Sequence, residues 1–341
     1  MHQGEKVMSV SNRYLPGQRK ASARPSCSRF ARIARMFLLV VPLSFLFAAC
    51  QSSTTGQAET QTLQSGNGQP TIISQTGSTS TSTPGSTSNP QPVGQAGNWK
   101  MIFHDEFNEN ALDTSKWTTC YFNFKVGSNS CDHDQGELEL YQPGNVTISN
   151  GVLTLTADKK TVDASNGQTY DYTSGMITTG PTTANPNNIR FSFKYGYMEM
   201  RAKLPAGQGL WPAFWTLPTN LNWPPEIDVF EYLGNQTNVM NMHYHFPNGS
   251  DDGGDSGTKW TGPDFSAGWH TYAVDWEPNA ITWYIDGVKR ATYTDASQIT
   301  SDPMYLVANL AVGGEWPGAP DASTHFPALY QIDYIRVWQK Q

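Results

Sequence analysis

Glu226-Ile227-Asp228-Val229-Phe230-Glu231 crowds three carboxylates into six residues, and the other three are Ile, Val and Phe, side chains that favour extended backbone. Simple alternation along a strand puts Glu226 and Asp228 on one face and Glu231 on the other. A one-residue β-bulge over Val229-Phe230 returns all three acids to the same face, and bulges often re-aim side chains in this way beside active sites. The Cα atoms of the two glutamates then lie roughly 13 Å apart at about 3.3 Å per step, a gap that inward-leaning side chains largely close. Two carboxyls brought within about 5.5 Å can divide the cleavage of an acetal, one attacking carbon while the other protonates the departing oxygen.

The bland alternative, a half-buried strand with three solvated acids, sits poorly with the flanks. Gly209-Leu210-Trp211-Pro212-Ala213-Phe214-Trp215-Thr216-Leu217-Pro218 and Trp223-Pro224-Pro225 precede the acids, and Tyr232-Leu233-Gly234 and His243-Tyr244 follow them. Aromatic faces interleaved with carboxylates describe a cleft for a sugar.

The elements that must hold such a cleft lie in the last 244 or so of the 341 residues. Residues 51–97 are mostly Ser, Thr, Gly, Gln, Asn and Pro with Glu59 as the sole charge, too little apolar surface to offset ordering entropy, and read as a disordered tether. Ahead of it, Arg29, Arg32 and Arg35 precede an apolar run from Met36 to Phe47, shorter than a membrane span, so residues 1–50 read as an export leader. The long polar stretch before Arg29 suggests that translation starts at Met8 or Met36. From 98 to 341, short runs such as Val146–Ile148, Val152–Ala157, Tyr195–Leu204, His270–Trp276, Ile281–Ile285 and Ile332–Trp338 recur between turn formers, with no long helical periodicity. Asp286-Gly287 between two such runs signals a hairpin. The pattern is that of an all-β sandwich.

Residues 98–341 carry 14 Lys and Arg against 27 Asp and Glu, a formal charge of −13, which excludes nucleic acid as a natural partner and disfavours sulfated or uronate polymers. Of four cysteines, Cys27 and Cys50 fall in the leader, leaving Cys120 and Cys131 to form a disulfide outside the reducing cytosol. A zinc site with His133 fits no common ligand spacing.

The acidic hexapeptide resembles the E-x-D-x-x-E signature of glycoside hydrolase family 16 in its bulged, laminarinase-like branch. The resemblance continues through Asp105-Glu106-Phe107, Trp117, Ser174–Thr179, Tyr195–Pro205, Asn309–Gly318 and Asp333–Trp338, covering essentially all of 98–341. Pro225, where many laminarinases carry Gly, departs from it. The family implies a concanavalin A-like jelly roll of two curved antiparallel sheets with a cleft across the concave face. It implies Glu226 as nucleophile, Glu231 as general acid/base and Asp228 as the residue that steers the nucleophile, with no metal in the chemistry. Trp211, Trp215 and Trp316 are candidate sugar platforms, Trp211 and Trp316 foremost because each sits beside Gly and Pro at a position that lines the family's cleft. Trp223 is a further candidate, and His243 is placed to hydrogen-bond Glu231. Glu106 and Asp333 match positions where many members hold a structural calcium on the convex side. Phe47-Ala48-Ala49-Cys50 resembles a bacterial lipobox with Cys50 as the lipidated residue, so membrane contact is expected only through a lipid anchor.

The resulting expectation is an exported, monomeric endo-β-1,3-glucanase acting on neutral β-glucan, mixed-linkage β-1,3/1,4-glucan included. A galactan-active hydrolase such as an agarase or carrageenase, a transglycosylase, and a non-catalytic glucan-binding module are the alternatives. The last usually lacks one or both glutamates, and both are present here.

Overall fold

The computed structural model describes residues 90–121, 126–127, 130–131, 136–165, 167–182, 185–249 and 253–341; the leader, Cys50 and residues 51–89 of the tether lie outside these. Two antiparallel sheets make the body. One runs, edge to edge, through Val288–Tyr293, Ala280–Ile285, His270–Glu277, Gly196–Lys203, Ala328–Lys340, Val152–Ala157 and Val146–Ser149, with Trp99–Asp105 also pairing to Ala328–Lys340. The other runs through Met176–Thr178, Met304–Val312, Leu210–Pro218, Glu226–Glu231, Val239–Phe246 and Gly254–Asp255, with Thr258–Thr261 added beside Val239–Phe246. Among the described residues the only helical segment is a 3₁₀ turn at Pro143–Asn145.

Strand identity follows the pleat. Val152–Ala157 alternates half-buried threonines and valine with fully buried Leu153, Leu155 and Ala157, which face the space between the sheets. Phe214, Ile227, Phe230, Leu310, Tyr272 and Trp283 join them, forming the core from both inner faces. Met304–Val312 is buried at every position, because its inner face meets this core and, on its outer face, Tyr305 and Val307 join a smaller cluster with Tyr121, Cys131, Tyr141 and Met176. A strand covered on both sides reads as a continuous apolar run rather than an alternation. The Asp286-Gly287 hairpin forms as the sequence predicts, with φ of 52° and 71° at the two turn residues.

The tether boundary differs from the sequence reading. Residues 90–97 belong to the folded body rather than to a disordered linker: Trp338 Nε1 donates to the Pro90 carbonyl at 2.8 Å and the Val93 amide donates to Glu199 Oε2 at 3.0 Å. Gln95 Nε2 reaches the Gly287 carbonyl at 3.1 Å. This strap crosses the outer face of the larger sheet, where Trp99, Tyr197, Ala273 and Trp338 form an aromatic patch. Composition could not reveal it, because its partners Glu199, Gly287 and Trp338 lie more than a hundred residues away.

Candidate active site

The acidic strand sits between Leu210–Pro218 and Val239–Phe246. Against the first, Phe230 pairs with Phe214 and Asp228 with Trp215, so Val229 is the extra residue. Against the second, Asp228 pairs with His243 and Glu231 with Asn241, three steps opposing two. The bulge expected over Val229-Phe230 is thus present. Ile227, Val229 and Phe230 turn into the core, while Glu226, Asp228 and Glu231 line one cavity of about 420 Å³ on the outer face.

Indoles grip the two glutamates. Trp211 Nε1 donates to Glu231 Oε1 at 3.2 Å, and Trp223 Nε1 donates to Glu226 Oε2 at 2.7 Å. Trp211 and Trp316 meet edge to face at 5.4 Å, which leaves Trp316 39 % exposed at the cavity rim; Trp223 is 48 % exposed on the other side. Trp215 also lines the cavity, but its Nε1 is spent on Asn309 Oδ1 at 2.8 Å and its ring packs on Tyr121, making it a wall rather than an open platform. His243 places Nε2 3.8 Å from Glu231 Oε2, and its Nδ1 faces Asp255 at 3.2 Å.

Burial governs the electrostatics. It pushes the Glu226 carboxyl well above the usual carboxylate range, with repulsion from Asp228 adding to it and the Trp223 hydrogen bond opposing it. Asp228, 1 % exposed, is raised by burial and then by Glu231. Glu231 is pushed up to about 8 by burial and by Glu226, against the Trp211 hydrogen bond. Three carboxyls so close cannot all ionise at neutral pH. The arrangement keeps protons on the cluster, and Glu231 is a carboxylic acid able to donate one near pH 7.

The structure adds cavity residues that sequence reasoning did not single out. His245 Nε2 lies 3.4 Å from Asp228 Oδ2, and the His243-Tyr244-His245 spacing, two residues on one strand face, was a legible signal for it. Glu137, Asp255 and Asn309 also line the cavity. Glu137 arrives there through a β-bridge with Gly313, a pairing that nothing local encodes.

One expectation needs correction. No disulfide joins Cys120 and Cys131; the Cys131 thiol is buried in the smaller cluster, against which Cys120 also packs, 3.6 Å from the Thr119 carbonyl and 4.0 Å from Met176 Sδ. The Glu106 and Asp333 side chains, expected at a calcium site, each pair with an arginine. Arg336 engages both Glu106 oxygens at 2.8 and 2.6 Å, and Arg201 holds Asp333 Oδ2 at 2.6 Å.

Similarity to known proteins agrees with this geometry. The chain is 34 % identical over 271 residues to glucan endo-1,3-beta-glucosidase A1 of Niallia circulans, covering 71 % of this chain and 38 % of that one. It is 30 % identical to the beta-glucanase of Rhodothermus marinus, covering 72 % and 87 %. The first three curated relatives are longer proteins of which this chain spans 38–41 %. A keratan-sulfate endo-1,4-beta-galactosidase of Sphingobacterium multivorum is 28 % identical, covering 71 % and 55 %. In structure, the laminarinase catalytic domain of Thermotoga maritima superimposes with a TM-score of 0.61 at 34 % identity, covering 72 % of this chain and 99 % of that one. A model of the beta-glucan synthesis-associated proteins SKN1/KRE6/Sbg1 matches residues 14–226 and stops short of Asp228 and Glu231. The model of glycosyl hydrolases family 16 matches residues 135–336, across the whole acidic strand and both cavity walls, and the chain belongs to that family.

Proposed function

We propose that the protein is an exported endo-β-1,3-glucanase that cleaves internal bonds of laminarin-type glucan, and of mixed β-1,3/1,4-glucan, with retention of anomeric configuration. The observation that carries this reading is the bulged strand that turns Glu226, Asp228 and Glu231 into one cavity walled by indoles. Glu226 attacks the anomeric carbon in its ionised form, which the Trp223 N–H bond favours against burial; Glu231 gives its proton to the leaving oxygen. Water then adds to the same carbon, returns a proton to Glu231, and releases Glu226. Exposed Trp223 and Trp316 faces suit the C–H faces of neutral glucose rings.

The charge of the cavity disfavours the galactan reading for sulfated substrates. Glu137, Glu226, Asp228, Glu231 and Asp255 line it, and no Lys or Arg is among its described lining residues, so a sulfate group finds no cationic partner in those residues. The leader and Cys50 support export and attachment by a lipid anchor. The experiment is a substrate screen with laminarin, lichenan, agarose and carrageenan, followed by proton NMR of the first product. β-Anomer from laminarin is expected; initial α-anomer, or activity on carrageenan alone, would refute the proposal.

A further inference from the structure

Asp255 sits on the strand beside His243 and presents both carboxylate oxygens to the ring Nδ1, at 3.2 and 3.3 Å. A carboxylate accepts only, so Nδ1 carries the hydrogen and Nε2 keeps a lone pair. That lone pair is buried, has no hydrogen-bond partner, and lies 3.8 Å from Glu231 Oε2. The other Glu231 oxygen is taken by the Trp211 N–H, so Oε2 is the one free to hold a proton. Gly257 makes room for this placement, since a Cβ there would come within 2.7 Å of the His243 ring.

We propose that His243, fixed in one tautomer by Asp255, is a positioning residue for the acid proton, accepting a hydrogen bond from Glu231 Oε2–H and so holding Glu231 protonated until the glycosidic oxygen takes the proton. This deepens the glucanase reading and rests on Glu231 as its acid. An acceptor of this kind favours the neutral carboxyl, and the 3.8 Å approach is a hydrogen bond to be completed in the substrate complex. Proton balance is internal: Glu231 loses its proton to the leaving group and regains one from the water that releases the glycosyl-enzyme. The other charged groups facing this pair do not supply the acceptor. Glu226 and Asp228 flank Glu231 on its own strand, His245 lies beside His243 and turns to Asp228, and Lys259 approaches from the next strand as a cation. Glu137 faces the cavity from the opposite wall.

The test uses the full chain. Ring ¹⁵N NMR of the wild type reads the tautomer directly, without reference to activity. In parallel, His243→Asn keeps an N–H for Asp255 but cannot reach Glu231, whereas His243→Gln presents an amide oxygen where Nε2 stood. The alkaline limb of kcat/KM on laminarin oligosaccharides is expected to fall by about one pH unit in the Asn variant and to return in the Gln variant, with smaller losses on aryl glycosides that need little protonation. An Nε2–H tautomer in the wild type, or three coincident alkaline limbs, would overturn the proposal. Absence of glucan hydrolysis by the wild type would refute the glucanase reading instead, and the ¹⁵N pattern would still decide the tautomer.

Discussion

A protein that begins at residue 98 is expected to be active but markedly less stable than one that begins at residue 81. Removing the strap deletes the Val93 N–H from Glu199 Oε2 and the Pro90 carbonyl from Trp338 Nε1. Glu199 is completely buried, and among the described residues Tyr334 OH is its one other hydrogen-bond donor. Leaving a buried carboxylate short of a donor costs about 1–3 kcal/mol, and the indole hydrogen bond adds about 1 kcal/mol. At about 2–4 °C per kcal/mol for a domain of this size, the melting temperature should fall by roughly 5–15 °C. The pH dependence has a definite sign. Burial raises Glu199 above its ordinary value, so the folded state binds the proton more tightly than the unfolded one and stability declines as pH rises through the folded pKa. Loss of the Val93 donor raises that pKa further, so the difference between the two proteins should widen from pH 4 to pH 8. Calorimetry across that range measures it. Gly94→Ala perturbs the same strap without truncation, because a Cβ at φ +69° would lie 2.8 Å from the Gly287 carbonyl oxygen, and it should move the melting temperature in the same direction. Identical melting curves for both lengths, or a gap that closes with rising pH, would refute the reasoning.

Glu226→Gln should lower laminarin hydrolysis by several orders of magnitude with little change in melting temperature, and wild-type-like turnover would remove Glu226 from the nucleophile role. Because Glu231 is pushed up to about 8, the alkaline limb of the wild-type kcat/KM should fall near that value, when the acid loses its proton; an alkaline limb near pH 5 would contradict this. Trp316→Ala should raise KM for laminarin oligosaccharides by an amount equivalent to about 1–3 kcal/mol of lost apolar contact while stability changes little, since its ring is already 39 % exposed. Cys50→Ala should release the protein from the cell surface into the medium, with mass spectrometry of the native protein expected to find a diacylglycerol on Cys50.

The sequence by itself determined the sandwich class, the acidic strand, and even the need for a bulge. Those features are local: alternation has period two, turns such as Asp286-Gly287 announce themselves, and three acids separated by Ile, Val and Phe can share a face only if one residue is added. It also named Trp211, Trp215, Trp223 and Trp316 as candidate platforms, and all four line the cavity, although Trp211 lies within the strand Leu210–Pro218 rather than in a loop. What tertiary structure decided was everything that depends on which distant segments become neighbours. Trp223 looked like one more aromatic until the fold brought its N–H to Glu226; Trp215 looked equivalent until Asn309 took its N–H. That Arg336 sits against Glu106, and Arg201 against Asp333, likewise follows only from the pairing of strands remote in sequence. The strap at 90–97 has the composition of a linker, and its order comes from Glu199 and Trp338, which composition cannot see. A strand's pattern is written in its own residues, whereas the partner of a buried polar group is chosen by the packing of the whole sheet.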